Sequence, residues 1–205
     1  MQLHHAAPSP FARKTRVVAR ELGLSDRIEL VAVHVTPGRE NAAYAAVNPL
    51  RKVPALTLAD GTTLVDSTLI CLYLDDLAEN ATLIPDEGDR RWRVLNAHAI
   101  ANGMTEAAVA LRYETFFRPE ERRWDLWSGD LADKIESGLA WFEARAGDGS
   151  KTPSLDLGSV ALGCLLGYLD FRFPELDWRE RRPRLATAYE TLAERESFRE
   201  SVPPE

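Results

Sequence analysis

Three residue pairs in the first third of the chain, Ser9-Pro10, Val53-Pro54 and Asp66-Ser67, carry groups that together suit a small zwitterionic peptide. Ser9-Pro10 has the order of a helix cap and a first helical residue. Only "MQLHHAAP" precedes it, room for one short strand, so the helix starts at a strand exit. Its unpaired N–H groups and positive end face whatever binds there, and Ser9 either caps the helix or also handles a reactive group. Pro54 cannot donate to a strand ladder and belongs at a strand's start, where a cis peptide bond would present the Val53 N–H and C=O to an extended ligand. Asp66 suits a ligand ammonium, while the Ser67 hydroxyl and the helix start behind it suit a carboxylate; the pair also reads as a plain helix cap.

These pairs must be held by strand and helix ends. "RIELVAVHV" (27–35) reads as a β-branched strand, and with a strand near 1–5 and the helix from Pro10 it makes a βαβ unit. "ENAAYAAV" (40–47) is a short Ala-rich helix stopped by Asn48 and Pro49. Residues 53–67 hold two short strands around Asp60-Gly61, with "LADGT" as a turn longer than two residues. "STLICLYLDDLA" places Leu69, Ile70, Tyr73, Leu74 and Leu77 at helical spacing, with Ser67 available as its cap. The order β-α-β-α-β-β-α closes near residue 78, and the loops bearing the three pairs can then meet at one sheet edge. Residues 79–89 are a polar linker with Pro and Gly. Beyond it the spacing is helical throughout: Trp92, Leu95, Ile100, Met104, Ala108 and Leu111 in one helix, Leu131, Ile135, Leu139 and Phe142 in another. "GSVALGCLLGYLDF" (158–171) is apolar nearly all round, a buried helix too short for a bilayer, and Pro183 opens a last helix with Leu185, Tyr189 and Leu192. The expected class is an α/β domain (1–78), a linker (79–89) and an all-α domain (90–205).

Composition narrows the function. With 25 Lys and Arg against 32 Asp and Glu the net charge is −7, which argues against a nucleic-acid partner. No run approaches the roughly 20 apolar residues of a membrane helix, and the start lacks the apolar stretch of a secretory signal, so a cytoplasmic location is expected. Cys71 and Cys164 sit in apolar runs and read as core; His4, His5, His34 and His98 show no metal spacing, and no metal is expected. Arg13, Arg16 and Arg20 form a basic stripe that reads as a solvated helix face.

In order and spacing, "SPFARK" (9–14), "NPLRKVPAL" (48–56), "VDSTLICLYL" (65–74), "GYLDFRF" (167–173) and the tail "RESFRESVPP" resemble the cytosolic glutathione transferases, in particular the YibF-like bacterial branch, over essentially the whole chain. The resemblance implies a thioredoxin-like N-terminal domain, a helical C-terminal domain, and conjugation of glutathione to small electrophiles in detoxification. Thioredoxin-like redox proteins carry Cys-Pro-x-Cys at the first strand-to-helix turn. Here the residues are Ser9-Pro10-Phe11-Ala12, so the sulfur must come with the ligand. By this resemblance Ser9 stabilises the glutathione thiolate, the Val53 backbone before cis-Pro54 pairs with the cysteinyl portion, Asp66 and Ser67 hold the γ-glutamyl end, and Phe11 and Lys52 line the site. Lowering a thiol pKa from about 8.5 to about 6.5 corresponds to roughly 2.7 kcal/mol. Met104, Ala108, Arg112, Tyr113 and Phe116 are the implied second-substrate residues between the domains. A homodimer through the third and the long fourth helices is implied too. The same thiolate would serve a glutathione-dependent isomerase, dehalogenase or peroxidase, and some relatives are non-catalytic binding proteins. Two positions depart from the pattern: Asn102 stands where relatives often carry Asp, and Asp156 with Ser159 exchanges the polar types that cap the buried helix.

Overall fold

Short β-branched and leucine-rich runs pair into one mixed sheet. In the computed structural model, which describes residues 1–39, 41–79, 82–147 and 155–203, the strands are β1 (Gln2–His5), β2 (Glu29–Ala32), β3 (Ala55–Thr57) and β4 (Thr63–Leu64). Their order is β2-β1-β3-β4, with β2 parallel to β1 and both other pairings antiparallel. With helices α1 (Pro10–Glu21), α2 (Ala42–Ala45) and α3 (Ser67–Leu77) this is the thioredoxin-like order β-α-β-α-β-β-α. α1 packs on α3, and Leu3, Leu56, Val17, Val18, Ile70 and Leu74 are sealed from solvent. The chain divides into two compact units, Met1–Arg91 with Ser197–Glu205, and Trp92–Glu196.

Local chemistry trims several expected elements. The strand expected over 27–35 is ordered as a strand only at Glu29–Ala32, an edge strand with Glu29, Leu30 and Ala32 exposed. The helix expected over 40–47 spans Ala42–Ala45, because the Asn41 side chain accepts the Tyr44 N–H at 3.0 Å and so caps it. Glu40 lies outside the described residues, as do Asn80 and Ala81 of the expected linker and Pro204 and Glu205 at the end. Between β3 and β4 the Leu58 N–H reaches Thr62 O at 2.8 Å and Asp60 Oδ1 accepts the Thr62 N–H at 2.9 Å, closing a turn longer than two residues. Gly61 sits there at φ 88°, a conformation that favours glycine.

The basic stripe on α1 is not a solvated face. Arg13 is 3% exposed, with Nε donating to Ser201 Oγ at 3.2 Å and Nη2 donating to Phe198 O at 3.1 Å. Arg16 donates to Glu200 O at 3.2 Å, and Arg20 makes a two-pronged contact with the Glu200 carboxylate at 2.6 and 3.1 Å. The tail from Ser197 thus covers the stripe and supplies acceptors that a long guanidinium needs once it leaves water.

In the second unit, α4 (Gly88–Arg112) enters at Trp92 and runs into a π-helical turn, Tyr113–Phe117. It is followed by α5 (Asp125–Glu143), α6 (Leu157–Arg172), α7 (Trp178–Arg181) and α8 (Pro183–Ala193). α6 is buried on nearly every side from Leu157 to Leu169, among Leu131, Ile135, Leu139 and Phe142 of α5 and Leu185 and Tyr189 of α8. Its start is a capping box: Asp156 Oδ1 accepts the Ser159 N–H and Ser159 Oγ accepts the Asp156 N–H, both at 2.9 Å. Glu114, 5% exposed, accepts the Trp124 N–H at 2.9 Å and Arg118 Nε at 2.7 Å, tying the π-turn to the start of α5. The Trp124 N–H is the main cause that holds its carboxyl below the usual glutamate range; burial opposes it and Arg118 assists.

Arg13→Met keeps the stem but removes the charged hydrogen bonds to the Phe198 carbonyl and the Ser201 hydroxyl, which still bond each other at 3.1 Å; a loss of about 2–3 kcal/mol in urea denaturation is expected. An unchanged midpoint would show that the tail does not brace α1. Because Glu114 binds its proton less readily folded than unfolded, its stabilisation is in place above the ordinary glutamate pKa and is lost as pH falls through the depressed folded value. Glu114→Gln should therefore lower stability at neutral pH and flatten the acid limb of the stability curve, read by thermal melts across pH.

Candidate active site

Ser9 sits where β1 gives way to α1. It is extended (φ −79°, ψ 120°), and its hydroxyl accepts the Ala12 N–H at 3.3 Å while its carbonyl accepts the Arg13 N–H at 2.9 Å. The Ser9 N–H donates to Ala6 O at 2.9 Å, which fixes the turn from the strand. Capping uses one lone pair of the hydroxyl; its proton stays available to a further acceptor. Phe11, half-buried, is the second residue of α1.

The strand register carries the other two pairs to the same edge. His4 faces Ala55 and Leu56 faces Leu64, so continuing both ladders puts Pro54 level with His5, and Asp66 beyond the end of β4 level with Pro54. The C-terminal end of β1, the N-terminal end of β3 and the C-terminal end of β4 thus share one sheet edge, with Ser9, Val53 and Asp66 in the segments that leave it.

Val53 precedes β3 and the Val53–Pro54 peptide is cis. No hydrogen bond to its N–H or C=O is found among the described residues, which leaves both groups to an extended partner. The segment before it is fixed by residues that the sequence reading passed over. Asn48, 1% exposed, donates to Lys52 O at 2.7 Å and accepts the Leu50 N–H at 3.0 Å. Tyr44 Oη donates to the same Lys52 carbonyl at 2.8 Å, and the Tyr44 ring lies 5.8 Å from that of His4 on β1. The Lys52 backbone is therefore pinned while its side chain is exposed. In the sequence, Asn48 before Pro49 signals only a helix stop.

Asp66, after a cis Val65–Asp66 peptide, caps α3: Oδ1 accepts the Thr68 N–H at 2.7 Å and the Leu69 N–H at 3.2 Å. The expected cap, Ser67, is instead the first helical residue and is 3% exposed, because the longer, charged Asp66 side chain in an extended conformation reaches both orphan N–H groups. Burial alone would push the Asp66 carboxyl up, but the Leu69 and Thr68 contacts and the Lys14 charge outweigh it and hold the carboxyl below its ordinary value. Lys14 of α1, itself 3% exposed, was not among the predicted residues. Nothing in "SPFARK" marks it, because its neighbour lies on another helix.

In the second unit, Met104 and Ala108 are core residues, at 3% and 0% exposure, and a side chain at Gly138 of α5 would overlap Met104. Arg112 is half-buried with its guanidinium 3.6 Å over the Phe116 ring; Tyr113 and Phe116 are exposed. Asn102 Nδ2 donates to Glu106 Oε1 at 2.9 Å. Among the described residues, no three His, Cys, Asp or Glu side chains could hold a metal, no helix is long and apolar enough to cross a membrane, and Cys71 and Cys164 are buried free thiols.

Residues 8–77 match the family model for the glutathione S-transferase N-terminal domain, and residues 99–191 that for the C-terminal domain. The GST-like protein YibF of Escherichia coli is 30% identical over 206 residues, covering 100% of this chain and 99% of its own. A glutathione transferase family member from Pseudomonas fluorescens Pf-5 with bound glutathione is 40% identical, with a TM-score of 0.95 over 100% of this chain and 99% of the other. A second structure from that organism, holding S-(propanoic acid)-glutathione, is 38% identical with a TM-score of 0.90 over 100% of each chain. The glutathione S-transferase of Methylobacillus flagellatus, with glutathione bound, is 36% identical with a TM-score of 0.87 over 99% of each. With fold, domain order and sequence matching from end to end, the chain belongs to the glutathione S-transferase family.

Proposed function

We propose that the protein is a glutathione transferase that holds the glutathione thiol as thiolate at Ser9 and directs it at small electrophiles. The observation that carries this reading is the Ser9 hydroxyl, which caps α1 through a lone pair and keeps its proton for a sulfur at the helix's positive end. The glutathione bound to the Pseudomonas and Methylobacillus relatives supports the same co-substrate here. Val53 pairs with the cysteinyl backbone, Asp66 takes the γ-glutamyl ammonium, Ser67 its carboxylate, and Phe11 and Lys52 line the site. The thiol proton goes to solvent, the sulfur lone pair forms the C–S bond, and from an aryl halide the halide leaves with its bonding pair. No protein nucleophile takes part; the chain contributes thiolate stabilisation and positioning.

In this reading residues 1–78 bind glutathione, 79–89 link, and 90–205 bind the electrophile through Arg112, Tyr113 and Phe116, while Met104 and Ala108, closed off from solvent, serve the core. The protein works as a cytoplasmic, detoxifying homodimer through α3 and α4, each of which leaves a large apolar side chain in solvent, Leu69 and Trp92.

Ser9→Ala should still bind glutathione in calorimetry, but with the bound thiol pKa back at its ordinary value and aryl-halide conjugation at neutral pH down about tenfold to a hundredfold. Equal thiol pKa values in both proteins would leave Ser9 a cap alone, and no binding to either would favour a non-catalytic binding protein. Asp66→Asn separates cap from charge, since Asn caps as well as Asp. Melting should fall modestly, through the lost Lys14 attraction, while glutathione affinity falls about tenfold; an unchanged affinity would restrict Asp66 to capping.

A further inference from the structure

Three hydrogen-bond donors of the helical unit stand together without an acceptor. Arg112 ends α4, and Tyr168 and Arg172 lie one turn apart on α6. The Arg112 guanidinium stacks 3.6 Å over Phe116 and that of Arg172 3.7 Å over Phe171, contacts that occupy a face of each cation but none of its N–H groups. Among the described residues neither guanidinium has a carboxylate partner or a hydrogen bond, in a chain with 32 acidic residues. Tyr168 is 5% exposed, and its hydroxyl likewise has no hydrogen-bond partner among the described residues.

Tyr168 and Arg172 stand four residues apart on α6, and Ala108 and Leu111, in the α4 turn before Arg112, share a core cluster with Tyr168. Burial, and then the Arg112 charge, hold Arg172 below the usual arginine range. Burial pushes the Tyr168 hydroxyl up to about 12, against the pull of Arg172 and Arg112 and with Tyr113 adding to the rise, so it remains a donor at neutral pH. Two partly desolvated cations and a phenol that donates to no protein group leave a cluster of donors that an anion can meet. Two guanidiniums and a hydroxyl match the two oxygens of a carboxylate.

We propose that Arg112, Arg172 and Tyr168 form a carboxylate-binding site, and that the electrophile this protein joins to glutathione is an organic acid whose body lies against Phe116 and Tyr113. The assignment rests on the transferase reading and on Arg112, Tyr113 and Phe116 as second-substrate residues. It adds Arg172 and Tyr168 to them and makes negative charge the feature selected.

Calorimetry with glutathione, S-propylglutathione and S-carboxyethylglutathione tests it without any turnover, since the last two differ only in a terminal methyl against a carboxylate. The wild-type protein should bind the carboxyethyl compound about tenfold tighter than the propyl one. Arg172→Gln and Arg112→Gln should each erase most of that preference while glutathione itself binds as before, and Arg172→Lys should retain part of it. Equal binding of the two S-substituted compounds by wild type, or an undiminished preference in the glutamine variants, would overturn the site and leave the transferase reading standing. Failure of glutathione itself to bind would overturn the transferase reading, and this site with it. If a glutamine variant does not fold, the wild-type preference alone decides.

Discussion

The antiparallel pairing of β3 against β1 is the constraint on which the proposed glutathione edge depends. With His4 facing Ala55, the end of β1 that feeds Ser9 lies beside the start of β3 that follows Val53-Pro54. The β3–β4 register then delivers Asp66 to the same edge. A slip by one residue would turn every side chain of β3 to the other face, putting Ala55 and Thr57 where Leu56 belongs. Strands of two to four residues cannot hold such a register by ladder hydrogen bonds alone. Leu3 and Leu56, sealed at 1% and 0% exposure, supply the difference by committing one face of the sheet to the core.

Around that edge, precision comes from buried polar groups that find particular partners. The Lys52 carbonyl, one residue before Val53, is held by both Asn48 and Tyr44, and Tyr44 in turn meets His4 of β1. Arg13, one turn into the helix that Ser9 caps, is anchored by the tail. Each such bond contributes only about 1 kcal/mol net, yet leaving any of these groups unpaired inside the protein costs more than that. They therefore specify one arrangement of the loops more strongly than their stabilising energies suggest.

Sequence patterning carried the element order, the buried helix around Leu165 and the placement of the three pairs at element ends, because these are local: a cap, a proline and a hydrophobic spacing are written within a few residues of where they act. What stayed hidden is non-local. The stripe Arg13, Arg16 and Arg20 has the look of a wetted helix face, and only the fold brings a tail from 188 residues away to meet Arg13. Lys14 acquires meaning through Asp66 on another helix, and Asn48 through a carbonyl that the loop folds back toward it. Ser67 against Asp66 as the cap was a choice between neighbours that backbone angles decide, and those angles are not encoded in residue type.

The chemistry proposed for Ser9 is better served by a weak donor than by a full cation. Lowering a thiol pKa from about 8.5 to about 6.5 raises the thiolate fraction at pH 7 roughly 25-fold. The same change lowers the intrinsic nucleophilicity of the sulfur by about eightfold, since attack rates follow thiol basicity with a coefficient near 0.4–0.5. Ionisation alone therefore yields only about a threefold gain. A lysine or arginine at the sulfur would tighten binding and weaken attack still further. A hydroxyl and a helix terminus stop short of that, and their larger contribution is to fix the sulfur in direction and distance, where proximity can supply orders of magnitude more. The permanent carboxylate proposed for the second substrate has no such conflict. It does not react, so full guanidinium charges at Arg112 and Arg172 can bind it without taxing the bond-forming step.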